Sequence, residues 1–229
     1  MRILAIDSSC RAASVAIVDS GEIEPLAVFS RAMARGQAEA LPLMVEEAAR
    51  LAPGGLESVA RMAVTIGPGS FTGIRVGVAL ARAMGLALGV PVVGVSTLAA
   101  FAAPLLSAPR QGVIAAAIDA RHGAAYFQLF DATGRPLGPP RCDSLRECVR
   151  GIGAGPALLA GDAAALLATE AHRAGLPYDL GAATDAPDIV AVARMGLALD
   201  PADHPARPLY VKPPDAKPNP AEPIARAPA

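Results

Sequence analysis

The sequence predicts an α/β protein of two similar lobes, each a mixed sheet flanked by helices, with a cleft between them. The first observation behind this is a repeat. Ala5-Ile6-Asp7 closes an apolar run, and Asp19 follows twelve residues after Asp7, with Ser20-Gly21 behind it. At an offset of 112, Ala117-Ile118-Asp119 closes a second apolar run, and Asp131 follows at the same spacing, with Ala132-Thr133-Gly134 behind it. Each copy reads as a buried strand ending on an aspartate, a polar turn, a second apolar strand and an Asp-plus-glycine turn. A repeat of this kind sets the architecture before any local motif does. On spacing alone, a chance likeness of two hairpins is the alternative. The second observation is that alternating strand and helix patterns follow each hairpin. The third is size: 229 residues hold one large or two small domains with ample core.

The elements follow in order. Met1–Ile6 is too short for a signal-peptide core and meets Asp7 at once, so it reads as a first strand. Leu26–Arg31 is a third strand. Residues 37–51 form a helix on the helical spacing of Leu41, Met44, Val45, Ala48 and Leu51, with Pro42 tolerable only in a first turn. Strands follow at 61–66 and 91–95, the first leading through Gly67-Pro68-Gly69 into a long helix that Ser70 or Thr72 can cap and that ends near Gly89. A helix at 97–106 closes the first half. The second half places strands at 112–119, 124–131, 135–141 and 157–161, and helices at 144–150 and 163–174. Residues 188–199 are helical in pattern. The resulting organisation is a lobe over 1–106, a smaller lobe over 107–187, a helix at 188–200 returning to the first lobe, and a tail from 201 to 229. Nine of the 22 prolines crowd into that tail, which predicts irregular chain, mobile at its end.

Composition excludes several classes. A net charge of −1 and a pI near 6.3 give no electrostatic case for direct nucleic-acid binding. Cys10, Cys142 and Cys148 form no CxxC pair and are expected as free thiols in a reducing cytosol. His122, His172 and His204 have no HxxxH context, so no metal site is expected. The apolar window from Val76 to Leu106 is interrupted by Arg82 and Pro91, unlike a membrane span.

Chemistry has few places to sit. Gly67-Pro68-Gly69-Ser70-Phe71-Thr72-Gly73-Ile74-Arg75 reads either as a phosphate loop, because glycines before a helix offer free N–H groups to an anion, or as a capped turn forced by close packing. It lacks the lysine of a Walker A loop. Within the following helix Gly73, Gly77, Ala81, Gly85 and Gly89 recur every four residues. Interior helical glycine costs about 0.5–1 kcal/mol, so a close backbone approach along this ridge is implied. The approaching partner is the chain's own sheet, its helix 37–51, or another subunit. Asp7 and Asp119 are the best-placed carboxylates, one per lobe at a strand end. In two-lobed folds of the actin–sugar kinase–Hsp70 type (ribonuclease H-like lobes), such aspartates face nucleotide phosphates and metal. The phosphate turn there reads Asp-x-Gly-x-Thr, whereas Asp7-Ser8-Ser9-Cys10-Arg11 lacks the glycine and Asp119-Ala120-Arg121-His122-Gly123 keeps one. The expected cleft residues are Asp7, Ser8, Ser9, Arg11, Asp119 and Gly123, in a site weakened for phosphotransfer.

At these residues the chain resembles the TsaB (YeaZ) family. The likeness is carried by Ile3–Ser9 with Ser14-Val15-Ala16, the Gly67–Arg75 string, Gly94-Val95-Ser96-Thr97-Leu98, Asp119-Ala120-Arg121, and Tyr210-Val211-Lys212-Pro213-Pro214-Asp215-Ala216. The resemblance implies a non-catalytic cytoplasmic subunit. Its partner would be the paralogue TsaD, which holds the metal and transfers a threonylcarbamoyl group to the N6 of an adenosine beside the tRNA anticodon. TsaC would supply threonylcarbamoyl-adenylate and the ATPase TsaE would join. It also implies a homodimer when alone, tRNA contact only through the complex, no membrane, no intrinsic cofactor, and ATP or ADP at the interface with partner subunits. The family's interface helices correspond to 37–51 and 73–89, so Gln37, Leu41, Met44, Val45, Ala48, Gly73, Gly77, Ala81 and Gly85 are the expected interface residues. The alternative is a homodimeric actin-like protein with weak nucleotide binding or hydrolysis, kinase-like or protease-like. Two departures from the family pattern stand out: Gly36-Gln37-Ala38-Glu39 replaces Gly-His-Ser-Glu, and Gly123-Ala124-Ala125-Tyr126 replaces Gly-Glu-Val-Tyr.

Overall fold

The structure, a computed structural model, describes residues 1–107, 112–176 and 178–212. Two five-stranded sheets organise it. In the first, β1 (Arg2–Asp7) pairs antiparallel with β2 (Ala12–Asp19), and β2 with β3 (Ala27–Ala32). On its other edge β1 runs parallel to β4 (Arg61–Gly67), which runs parallel to β5 (Val92–Ser96). The second sheet has β6 (Val113–Arg121) antiparallel to β7 (Ala124–Phe130), and β7 antiparallel to β8 (Arg141–Ser144). Its other half runs β6, β9 (Ala157–Ala160) and β10 (Asp179–Ala182), all parallel. The orders are β3-β2-β1-β4-β5 and β10-β9-β6-β7-β8, so both sheets follow one path with one pattern of strand directions. The sequence repeat is therefore a repeat of topology, not a chance pair of hairpins.

Strand alternation divides the first lobe's core. Leu4, Ile6, Val15 and Ile17 face α1 (Gln37–Leu51) and α2 (Phe71–Leu88). Ile3, Ala5, Ala16 and Val18 face α6 (Ile189–Ala198), which lies on the opposite side of the same sheet. With both faces covered, the strands read as continuous apolar runs. At the end of α6, the Arg61 guanidinium donates to the carbonyls of Gly196, Leu197 and Leu199 at 3.0, 3.2 and 2.9 Å, which satisfies acceptors a helix terminus leaves open. In the second lobe, α4 (Leu145–Ile152) and α5 (Ala164–Arg173) cover one sheet face, and α3 (Thr97–Ala102) covers the other through Leu98, Phe101 and Ala102.

Some expectations shift. Pro42 stands at the sixth residue of α1, in the second turn rather than the first. Its exposed ring leaves the helix unbroken because Leu41, Met44, Val45 and Ala48 anchor the opposite face. The strand expected at 135–141 forms later, at 141–144, because Pro136, Pro139 and Pro140 supply no ladder donors. The helix at 97–106 tightens into a 3-10 turn from Ala103. β10 had no apolar pattern to announce it; it is a short, largely exposed edge strand. By length and composition α2 could cross a membrane, but here its apolar side packs on β4 with Ile74 and Val78 buried.

Residues 201–212 are irregular yet fastened to the first lobe. Gly94 N–H donates to His204 O at 2.8 Å, Leu209 N–H donates to Ile66 O at 2.7 Å, and Val93 bridges Pro205. Tyr210 stacks on Phe71 and accepts from Arg75 Nε at 2.9 Å. The rest of the tail, 213–229, lies outside the described residues.

Candidate functional site

Parallel pairing of β1 with β4 brings Asp7 and Thr65 to neighbouring strand ends. Asp7 Oδ1 accepts from Ser9 N–H at 3.0 Å, from Ser9 Oγ at 2.6 Å, and from Thr65 Oγ1. Its Oδ2 is buried without a partner among the described residues. The turn that follows is sealed from outside. Ser8 Oγ donates to Gly73 O at 2.8 Å, and Ser70 N–H donates to Ser9 O at 2.7 Å. A Cβ on Gly73 would lie 1.9 Å from Ser8 O, and one on Gly69 2.2 Å from Ser9 O. Ser70 caps α2 through Gly73 N–H. The glycine-rich string is therefore a capped turn shaped by close packing against the β1–β2 turn.

The ridge of α2 continues that contact. A Cβ on Gly77 would meet Ser8 Oγ at 2.7 Å, and one on Gly85 would meet Val92 of β5 at 2.3 Å. The close approach is thus made by the chain's own turn and sheet. Gly89 has a different task, closing the helix at φ 68°. The expected interface residues have the following places. Gly73, Gly77, Ala81 and Gly85 are buried beneath α2, and Leu41, Met44, Val45 and Ala48 beneath α1; of these eight, Val45 and Gly85 also line surface grooves. An apolar stripe faces the sheet that its own chain supplies first. Gln37 alone is partly exposed, on the wall of the interlobe cleft.

That cleft has a volume of about 460 Å³. Ser9, Arg11, Gln37, Asp119, Arg121 and Asp162 are among its lining. Asp7 and Ser8 are not, because they lie behind the sealed turn, and Gly123 sits away at the hairpin tip. Of the six expected cleft residues, the structure brings together Ser9, Arg11 and Asp119. Arg11 reaches across the lobes to within 3.7 Å of Asp119 Oδ2. The β6–β7 tip is tightly wound, with Arg121 and His122 at φ 65° and 53° and Arg121 N–H donating to Asp119 Oδ1 at 2.8 Å.

Asp162 was not anticipated. Its Oδ1 accepts the Asp119 N–H at 2.7 Å, and it follows Gly161, whose φ of 99° lets the chain cross within contact of Ala117 O. Burial pushes its carboxyl upward, the Asp119 N–H draws it back, and the Asp119 charge adds to the rise. The signal was present, since an aspartate directly after a strand repeats the placement of Asp7 and Asp119. Among the described residues, no three His, Cys, Asp or Glu side chains are grouped so as to hold a metal.

Burial also pushes Asp7 above its ordinary range, against the pull of Ser9 and Thr65. The folded chain then binds the proton more tightly than the unfolded chain. Stability falls as pH rises from the unfolded carboxylate value through the folded one. Asp7→Asn keeps the Oδ1 acceptor and removes the charge, so it is expected to flatten that slope and raise the urea midpoint at neutral pH. Urea midpoints across a pH series check this; an unchanged slope would assign it to another group.

Together these features define a duplicated two-lobed α/β protein of the actin-like type, with a closed turn after its first strand. Over residues 28–178 the sequence matches the family model for TsaD, tRNA N6-adenosine threonylcarbamoyltransferase. The chain belongs to the TsaB (YeaZ) family within that group. The Escherichia coli tRNA threonylcarbamoyladenosine biosynthesis protein TsaB is 36% identical over 130 residues, 57% of this chain and 55% of that protein. The chain thus spans about half the length of the first curated relatives it matches. An uncharacterized Mycobacterium tuberculosis protein is 32% identical over 219 residues, 94% of each. The solved structure of YeaZ from Pseudomonas aeruginosa superposes with a TM-score of 0.72 at 26% identity, covering 91% of this chain and 99% of that one.

Proposed function

We propose that this chain is a non-catalytic supporting subunit in the formation of tRNA threonylcarbamoyladenosine. It binds a TsaD-type catalytic paralogue, with a TsaE-type ATPase in the assembly and a TsaC-type enzyme supplying threonylcarbamoyl-adenylate. It pairs with itself when alone, meets tRNA only through the complex and works in the cytoplasm. The observation that carries the non-catalytic reading is the sealed turn. Asp7 is held by Ser9 and Thr65 behind the Ser8–Gly73 contact and does not line the cleft. The names of the relatives supply the process.

The binding face in this proposal is the outward side of α1 and α2. Between these helices runs an apolar groove of about 580 Å³ lined by Pro42, Val45, Ala49, Leu56, Leu80 and Met84. Leu43, Leu51 and Leu86 stand exposed on the same helices. The turn from Asp7 to Arg11 does not fit a triphosphate, because it lacks a glycine and is covered by Gly69 and Gly73. A nucleotide at the shared interface would therefore be seated chiefly by the partner, with Arg11 and Arg121 offered from this chain's cleft wall.

The test is reconstitution of tRNA threonylcarbamoylation from TsaC, TsaD and TsaE, with and without this chain, read by nucleoside mass spectrometry. Modification is expected to require the chain, and the chain with tRNA and adenylate alone is expected to give none. Equal modification without it would overturn the proposal.

A further inference from the structure

The second lobe carries a groove that shares no residue with the cleft or with the α1–α2 face. It lies between α4 and α5, encloses about 350 Å³, and is lined by Arg146, Val149, Arg150, Glu170, Arg173, Ala174 and Leu176. Its floor is apolar and fixed. Val149 is buried with Cys148, Leu167 and Ala171 in the lobe's core, and Leu176 packs against the same cluster. Leu176 N–H donates to Ala171 O at 2.9 Å, and Tyr178 Oη donates to the carbonyls of Val149 and Gly153 at 3.4 and 2.5 Å. These bonds tie the chain leaving α5 to the end of α4, so the groove's two walls keep their spacing.

Its rim is cationic. Arg146 and Arg150 stand one helical turn apart on α4, both exposed, with no hydrogen bond or ion pair among the described residues. The nearby carboxylates are each engaged, and the Arg150 charge also acts on Glu147. Glu147 accepts from Ser144 N–H and Oγ in the capping box of α4, Asp143 pairs with Arg141, and Glu170 holds Arg173 at 3.3 Å. Residues 112–187 carry six arginines against eight carboxylates, yet three of those arginines meet one carboxylate here. Like charges on one helix face repel, which disfavours the isolated helix unless an anion is met.

We infer that this groove docks a short acidic peptide segment of a protein partner, with carboxylates on Arg146 and Arg150 and an aliphatic side chain on the floor of Val149, Ala174 and Leu176. Charge complementarity selects an anionic occupant, and guanidinium groups suit carboxylates through paired N–H donors. The apolar floor selects a peptide over a nucleic-acid backbone, which offers phosphates but no aliphatic group at that depth. The overall negative charge of the lobe also opposes an extended polyanion. This inference does not depend on the proposed function, and its test needs no other subunit.

The experiment is an amide NMR titration of the full chain with a pooled library of short peptides built from Asp, Glu and Leu. A matched library of Asn, Gln and Leu, a poly-glutamate and a short single-stranded RNA serve as controls. Shifts confined to α4 and α5 are expected with the acidic library, roughly tenfold weaker in high salt and absent with the amide library. Poly-glutamate is expected to bind less well, lacking the aliphatic anchor. In Arg146→Gln/Arg150→Gln the shifts should vanish while circular dichroism and the thermal midpoint stay unchanged, both side chains being exposed. Leu176→Ser should weaken binding without moving its salt dependence. No shifts with the acidic library, equal shifts in the double variant, or shifts with RNA alone would each overturn the inference.

Discussion

Gly73→Ala is expected to destabilise the chain by about 3 kcal/mol, although alanine is ordinarily the better helix former. The added methyl group would sit 1.9 Å from the carbonyl oxygen of Ser8, and both sides of that contact are backbone. No rotamer change relieves it, so α2 must lift from the β1–β2 turn and release the Ser8–Gly73 and Ser9–Ser70 bonds with it. Gly77→Ala should cost less, because its methyl group meets the Ser8 hydroxyl at 2.7 Å, and a side chain can turn aside. Urea denaturation of both variants checks the order. A Gly73→Ala protein as stable as the parent would mean that the turn is not closed in this way. A bulky residue at Gly77 likewise tests the chain's own packing and not a partner.

Leu43→Glu should leave the fold intact and weaken association with a TsaD-type partner by about 30-fold or more, on the order of the 2 kcal/mol typical of an interface hot spot. Leu43 is 57% exposed on α1, so a carboxylate there costs the free chain little. Buried against an apolar partner surface, the same charge would be desolvated without a counter-ion. Calorimetric titration of the two purified proteins measures this, and threonylcarbamoylation in the reconstituted assembly should fall in parallel. Unchanged affinity in a folded variant would move the binding face off α1.

Much of the fold was legible because its signals are local. The repeat from Asp7 to Asp119, the helical spacing of Leu41, Met44, Val45 and Ala48, and the Ser70 cap each lie within a short stretch of chain. The site was less legible because its decisive contacts are not local. Ser8 meets Gly73 across 65 residues, and no pattern around Asp7 reports that its turn is covered. Periodicity identified the apolar face of each helix but not that this face packs on the chain's own sheet. β10 was missed because Leu180-Gly181-Ala182 at an exposed edge carries neither alternation nor β-branched side chains. Asp162 was missed although Gly161 marks it, since a glycine after a strand reads first as a turn.

The placement of α6 has a consequence for how the protein comes into being on the ribosome. The first lobe is begun by Arg2 but completed only by residues 189–210, with the whole second sheet emerging in between. The later lobe in sequence therefore has all its strands before the earlier one has its last helix. Throughout that interval Ile3, Ala5, Ala16, Val18, Ala63 and Val95 form an uncovered greasy surface on the nascent chain. Closure then depends on contacts as distant as Arg61 with Leu199, separated by 138 residues, a topology that makes the final docking slow.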